Sequence, residues 1–347
     1  MTRSPSSATA RRECREAFRT RENAMKAIRV HAYGGPEAMV YEDVPSPEPG
    51  PGQIRVRQTA VGVNFIDIYF RSGAYKAPAL PFTLGKEGAG VVDALGEGVT
   101  DFRLGERVAY AGATGTYAEE VVVDTKGVVH VPDAISDETA AAMMLKGLTA
   151  QYLLRRTYRV QRGDTILFHA AAGGVGLIAT QWAKHLGATV IGTVGSAEKA
   201  ELAREHGCDH VILYRDEDFA ARVKEITGGR GVPVVYDGVG KATFPASLDC
   251  LQPFGIFASF GSSSGPIDAF DIGILAAKGS LYATRPTLFT HIATRESLDA
   301  NAAELFEVVA SGAVKIPIHA RAKLADAAQV HRDLAGRQTT GATVMTP

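Results

Sequence analysis

Residues 165–184 read Thr-Ile-Leu-Phe-His-Ala-Ala-Ala-Gly-Gly-Val-Gly-Leu-Ile-Ala-Thr-Gln-Trp-Ala-Lys. The first five have β-forming, mostly apolar content, a run of small residues follows, and then helical periodicity sets in. Ile178, Trp182 and Leu186 recur at i, i+4 and i+8, which lays an apolar stripe on one helix face. Strand, glycine turn and helix start together make a phosphate site. Small residues let backbone approach a pyrophosphate, while free N–H groups and the helix dipole hold its charge. The spacing is Ala171-x-Gly173-x-x-Gly176, with alanine at the first glycine position of the strict fingerprint. The bland alternative is a glycine turn that only packs a helix on a sheet. Here the turn follows an expected strand, opens a helix and precedes another strand over 189–193, the context a dinucleotide site requires. Gly173, Gly174, Val175 and Gly176 are therefore expected at the phosphates.

The 347 residues allow about two domains. From 25 to about 146 short strands are expected at 25–30, 54–63, 88–95, 107–109 and 117–123, bounded by glycine and proline. Four prolines within 45–52 make that stretch a loop. A short helix is expected at 64–71 and a longer one at 137–156, with Ser136 as its N-cap. From 165 to about 260 strands (165–169, 189–193, 210–213, 232–237, 255–259) alternate with helices (175–186, 197–206, 218–227, 243–251). A sixth strand is expected at 280–283 and a helix at 295–311, and 313–347 returns to short strands and one helix. The fold class is α/β: a doubly wound parallel sheet of Rossmann type inserted in a β-rich domain that the C-terminal part completes.

Composition narrows the function. A net charge of -1 gives no electrostatic reason to expect a nucleic-acid or membrane-surface partner. No apolar run approaches the roughly 18–20 residues of a membrane span. Cys14, Cys208 and Cys250 are too few and too scattered for a disulfide framework, which suits a reducing cytoplasm. Residues 1–24 hold six arginines and no Val, Leu or Ile, and read as a disordered extension.

The second strand of the alternating region ends Ile191-Gly-Thr-Val-Gly-Ser196, without the acid that would hold an NAD ribose and repel a 2′-phosphate. Ser196 and Lys199 follow at once, and Tyr214 and Arg215 end the neighbouring strand, so NADP is favoured. Arg215 has a second reading as a surface partner of Asp216 or Asp218. Phe260-Gly-Ser262-Ser263 ends the fifth strand, where carboxyl ends face the nicotinamide. Asn64, Asp67, Tyr69 and Tyr75 are further polar candidates, with Asp67 read as a structural partner of Arg71 at i, i+4.

Gly62-Val-Asn-Phe-Ile-Asp-Ile-Tyr69, Leu145-Lys-Gly-Leu-Thr149, His169-Ala-Ala-Ala-Gly-Gly-Val-Gly176 and Val235-Tyr-Asp-Gly-Val-Gly240 resemble quinone oxidoreductases. These are the zeta-crystallin-like branch of the medium-chain dehydrogenase/reductase superfamily. The resemblance covers 25–347 and implies a GroES-like domain (25–147, completed by 289–347) and a Rossmann domain (148–288), with the active site between them. It implies NADPH as cofactor, a quinone or other conjugated carbonyl as small-molecule partner, and a homodimer. By that resemblance Gly195, Lys199 and Tyr214 hold the 2′-phosphate, Thr149 and Arg337 contact the cofactor, and Asn64 and Tyr69 lie near nicotinamide and substrate. Lys146 stands at the domain junction. Gly238 departs from close relatives, which often carry serine there. Zinc-dependent relatives need a thiolate and a His-Glu pair where this chain has Asn64 and Lys86-Glu87, so a zinc-independent enzyme is expected. Two alternatives stay open: an enone or enal reductase, and a non-catalytic NADPH-binding protein.

Overall fold

A computed structural model describes residues 24–347. The arginine-rich segment lies outside them, except Ala24, with which the first strand begins. The amino-terminal part is built from β1 (Ala24–Val30), β2 (Met39–Pro45), β3 (Gln53–Gly62), β4 (Phe82–Thr83), β5 (Glu87–Leu95), β6 (Arg107–Ala111), β7 (Glu120–Asp124) and β8 (Val128–His130), with helix α1 (Phe65–Ser72) after β3. β2, β1 and β4 form a small antiparallel sheet. β3, β5, β6 and β8 form the body of a larger one, with β7 also on β3. Alternation explains its core: Ile54, Val56, Val92, Val108, Val121 and Val123 pack on one buried face around Phe102 and Tyr110.

Two differences from expectation have plain causes. β2 escapes notice because Val40 and Tyr41 are exposed, and its strand character comes from full pairing with β1. The strand expected over 117–123 starts only at Glu120, because Tyr117 and Ala118 turn to β1. The Tyr117 carbonyl accepts from Ile28 N at 2.8 Å, and Ala118 bridges Ala27.

Helix α2 (Asp137–Tyr152) carries the chain into the second unit, and Ser136 Oγ caps it by accepting from Thr139 N. It is shorter than expected, since a five-residue π-helical turn (Leu153–Thr157) replaces its last turn. Strands β9 (Thr165–His169), β10 (Thr189–Val194), β11 (His210–Leu213), β12 (Val232–Asp237), β13 (Leu251–Ser259) and β14 (Tyr282–Thr284) form a parallel sheet ordered β11-β10-β9-β12-β13-β14. Between them lie α3 (Gly174–His185), α4 (Ala197–Glu205), α5 (Phe219–Ile226), α6 (Ala246–Asp249) and α7 (Gly273–Ala277). α6 is much shorter than the expected 243–251 because Pro245 offers no N–H and β13 already begins at Leu251. The chain runs outward through β10 and β11, then returns to β12 on the other side of β9. Ligands bind at such a switch point, outside the strands' carboxyl ends.

After α8 (Leu288–His291) and α9 (Arg295–Ala310), β15 (Ile318–Lys323), α10 (Ala327–Ala335) and β16 (Ala342–Thr346) bring the chain back to the larger sheet of the amino-terminal part. There β16 pairs antiparallel with β3, Val344 opposite Gly62.

Candidate active site

β9 delivers the chain to the glycine turn, where Ala170 takes a left-handed conformation (φ 55°) and its carbonyl accepts from Gly173 N at 2.9 Å. α3 starts one residue later without a side-chain cap. The amides of Gly174, Val175 and Gly176 are therefore the orphan donors of a helix start. A Cβ at Gly176 would lie 2.4 Å from Ala170 O and 2.5 Å from Ala171 O, so only glycine fits there. At Gly173 a Cβ would meet only Ala170 O, at 3.1 Å. That position is open, which is where a pyrophosphate needs access. Gly174 is hemmed in differently: a Cβ would meet Lys146 Cδ at 2.9 Å and Gly341 O at 3.0 Å. The C-terminal segment also bonds to the turn, Gly341 N donating to Ala172 O at 3.2 Å.

Beyond the end of β10 lie Tyr214, Arg215 and Lys199, with the backbone of Arg337 beside them. Tyr214 covers Gly195, where a Cβ would lie 2.9 Å from its Oη and 3.5 Å from Arg215 Nε. Lys199 Nζ donates to the carbonyl of Arg337 at 2.7 Å, and Arg337 itself is left-handed (φ 57°). Burial lowers the Lys199 pKa, and Arg215 and Arg337 lower it further against the opposing pull of Glu198. Arg215 makes no ion pair with Asp216 or Asp218 among the described residues, so its reading as their surface partner is corrected. Ser196 accepts from Lys199 N at 3.4 Å, so its oxygen caps α4.

Below the turn lies a buried polar cluster. Glu87, fully buried at the start of β5, accepts from Asn64 Nδ2 at 2.7 Å, Lys146 Nζ at 2.9 Å and Leu145 N at 2.7 Å. The pair Glu87–Lys146 thus ties β5 and Asn64 to α2, while the Lys146 stem touches Gly174 of the glycine turn. Thr149 donates back to Leu145 O in its own helix. The sequence singles out Asn64, Lys146 and Thr149 but gives Glu87 no role. A lone acid heading the otherwise apolar run Glu-Gly-Ala-Gly-Val-Val was the available signal.

Asp67 is not paired with Arg71. Its Oδ2 caps α1 by accepting from Asn64 N at 2.8 Å and from Tyr117 Oη at 3.1 Å. Arg71 instead faces His331 Nδ1 at 3.0 Å and donates to Gly34 O. The i, i+4 geometry is available, but the two side chains leave the helix toward different neighbours. Burial raises the Asp67 pKa to about 7, against its two hydrogen bonds and the charge of Lys146. Burial, helped by Arg71, pushes His331 down to about 3, so that ring is neutral.

Tyr69 points the other way, into the cleft. Its Oη accepts from Ser262 N and Ser262 Oγ, both at 3.3 Å, which links α1 to the loop after β13. Tyr75 packs against its ring at 5.2 Å. Phe260 packs on Phe168 at 5.7 Å and covers Gly238, where a Cβ would come within 2.9 Å of the ring. The glycine at 238 therefore makes room for Phe260. Arg337 reaches this loop too, Nη2 donating to Ser263 O at 3.4 Å.

The donor chemistry does not fit zinc. The Asn64 amide is committed to Glu87, Lys86 is a cation, and burial pushes the thiols of Cys208 and Cys250 up to about 12. No three His, Cys, Asp or Glu side chains cluster as a metal site among the described residues. The residues do fit a dinucleotide: helix-start amides without a side-chain cap among the described residues, an open Gly173, and Lys199 and Arg215 beyond the acid-free end of β10.

Residues 50–133 match the alcohol dehydrogenase GroES-like domain, and residues 174–300 match the zinc-binding dehydrogenase family. A quinone oxidoreductase of Pseudomonas aeruginosa is 56% identical over 93% of this chain and 99% of its own length. A 2-haloacrylate reductase of Burkholderia is 45% identical, over 92% and 98%. The crystal structure of Escherichia coli quinone oxidoreductase complexed with NADPH superposes with a TM-score of 0.91 at 48% identity, covering 93% of this chain and all of that one. With the turn, the cleft and these likenesses agreeing, the chain belongs to the quinone oxidoreductases, the zeta-crystallin-like branch of the medium-chain dehydrogenase/reductase superfamily.

Proposed function

We propose that this protein is a zinc-independent, NADPH-dependent quinone reductase. The observation that carries the reading is the acid-free end of β10, where Tyr214 and Arg215 cover Gly195 and Lys199 opens the next helix, beyond a glycine turn with an open Gly173. When bound, NADPH supplies a hydride to the acceptor. The chain's own residues do the rest. Gly173, Gly174, Val175 and Gly176 present backbone to the pyrophosphate, Gly195, Ser196, Lys199 and Tyr214 surround the 2′-phosphate, and Arg337 is a further cofactor contact. Asn64, oriented by Glu87, and Thr149 fix the nicotinamide end, where Phe260 closes the face toward the sheet. Tyr69, with Ser262 beside its hydroxyl, orients the acceptor oxygen.

The same reading takes 25–147 with 289–347 as the GroES-like domain and 148–288 as the Rossmann domain. A cytoplasmic homodimer is part of it, supported by the cysteine usage and the family resemblance. Among the described residues no helix is long and apolar enough to cross a membrane.

The direct test is NADPH oxidation against a panel of benzoquinones and alkenals, before and after dialysis against a strong chelator. Quinones should give the higher kcat/KM, and activity should survive the chelator. Alkenals winning, or a zinc whose removal abolishes turnover, would overturn the reading. NADPH should be preferred over NADH at least tenfold, about 1.4 kcal/mol. Lys199→Ala should weaken NADPH much more than NADH, since a charge-assisted bond contributes roughly 1.5–3 kcal/mol. Equal losses for both cofactors would remove the lysine from the phosphate site.

Tyr69→Phe and Asn64→Ala should each lower kcat/KM for quinone by roughly 10- to 100-fold, about 1.4–2.7 kcal/mol. Asn64→Ala should also cost more NADPH affinity, because Tyr69 is assigned to the acceptor. Steady-state kinetics with melting curves decide this, and wild-type turnover in both variants would move the chemistry to the Phe260–Ser263 side.

A further inference from the structure

Lys86 precedes Glu87 in the chain yet takes no part in the buried cluster. Its ammonium donates to Thr114 Oγ1 at 2.7 Å and lies 4.7 Å from the centroid of the Phe70 ring. Among the described residues no carboxylate comes within ion-pair distance of it, and Thr114 is its only hydrogen-bond acceptor. An ammonium has three donors, so two remain for another group. Burial lowers its pKa, while the charge of Asp67 acts in the opposite sense.

The surroundings point to what that group is. Phe70 meets Tyr75 edge-on at 5.8 Å, Tyr75 meets Tyr69 at 5.2 Å, and Tyr69 meets Ser262 across the cleft. Lys86 and the 260–263 loop therefore lie at opposite ends of one aromatic wall. Behind Lys86, its carbonyl accepts from Gly112 N at 2.7 Å, and Gly112 faces the ring of Phe289. A flat ring suits such a wall, and a partly desolvated cation without a counter-ion suits an anionic substituent on that ring.

Building on the quinone-reductase reading, we propose that Lys86 is a specificity-determining residue that pairs with a negatively charged oxygen of the acceptor. The site then prefers quinones carrying an ionised hydroxyl or carboxylate over neutral quinones of the same size. The partners are 2-hydroxy-1,4-naphthoquinone, an anion at neutral pH, and the neutral 2-methyl-1,4-naphthoquinone.

Binding of each is measured by equilibrium dialysis at pH 7 without cofactor, and kcat/KM is measured with NADPH. In the dialysis the wild-type protein should bind the anion about tenfold more tightly, the size of one charge-assisted bond, while kcat/KM is compared only between wild type and variants for the same quinone. Lys86→Met should bring the two to within about twofold, and Lys86→Arg should keep the preference, since it keeps the charge. Added salt should shrink the wild-type preference. No preference in the wild type, its survival in Lys86→Met, or its loss in Lys86→Arg overturns the proposal. If Lys86→Met does not fold, Lys86→Gln makes the same comparison. Absence of NADPH oxidation with either quinone would defeat the quinone-reductase reading instead, while the dialysis still decides the role of Lys86.

Discussion

Gly173→Val should abolish measurable NADPH binding, raising Kd at least 100-fold, about 2.7 kcal/mol, while the protein stays folded. Gly173 has an extended backbone (φ -81°, ψ 173°) that valine adopts without strain, and a Cβ there meets only one carbonyl, at 3.1 Å. The cost therefore falls on the ligand, because the branched side chain stands in front of the Gly174–Gly176 amides. Gly176→Ala is the contrasting variant: its Cβ would press within 2.5 Å of two carbonyls, so that change should damage the fold as well. Isothermal titration and melting curves on both variants separate the two effects. Unchanged NADPH affinity in a folded Gly173→Val protein would falsify the turn as the phosphate site.

Glu87→Ala should be the most damaging change in the cleft. It strips Lys146 Nζ, Asn64 Nδ2 and Leu145 N of their shared acceptor and leaves a buried ammonium alone. Removing one partner of a buried ion pair destabilises by roughly 3–5 kcal/mol. Urea denaturation should show a loss of that size, and activity should fall with it as Asn64 loses its orientation. The double variant Glu87→Ala, Lys146→Met should recover part of the stability without recovering turnover. Wild-type stability in the single variant would mean that water reaches Lys146.

How much of this was legible in the sequence follows from how local each signal is. β9, β11 and β12 begin and end where the sequence pattern places them, because short apolar runs bounded by turn residues fix parallel strands. The glycine turn was legible for the same reason. β2 was not, since its partner supplies what its own exposed side chains do not. Asp67 and Arg71 satisfied a helix rule, yet Tyr117 and His331, distant in sequence, decided their contacts. The lysine at 199 was legible as a cation just past the second parallel strand, but its hold on the Arg337 carbonyl, 138 residues away, belongs to tertiary structure alone.

That distant hold, with Gly341 on the glycine turn and β16 on β3, bears on the order in which the protein is made. A ribosome releases all six strands of the parallel sheet before the residues that clasp its glycine turn. The nascent sheet can fold as a unit, but β3 lacks its last neighbour and Lys199 its carbonyl until residues 337–346 emerge. The clasp on the glycine turn is thus a late addition to a sheet already made, complete only once β16 has docked on β3.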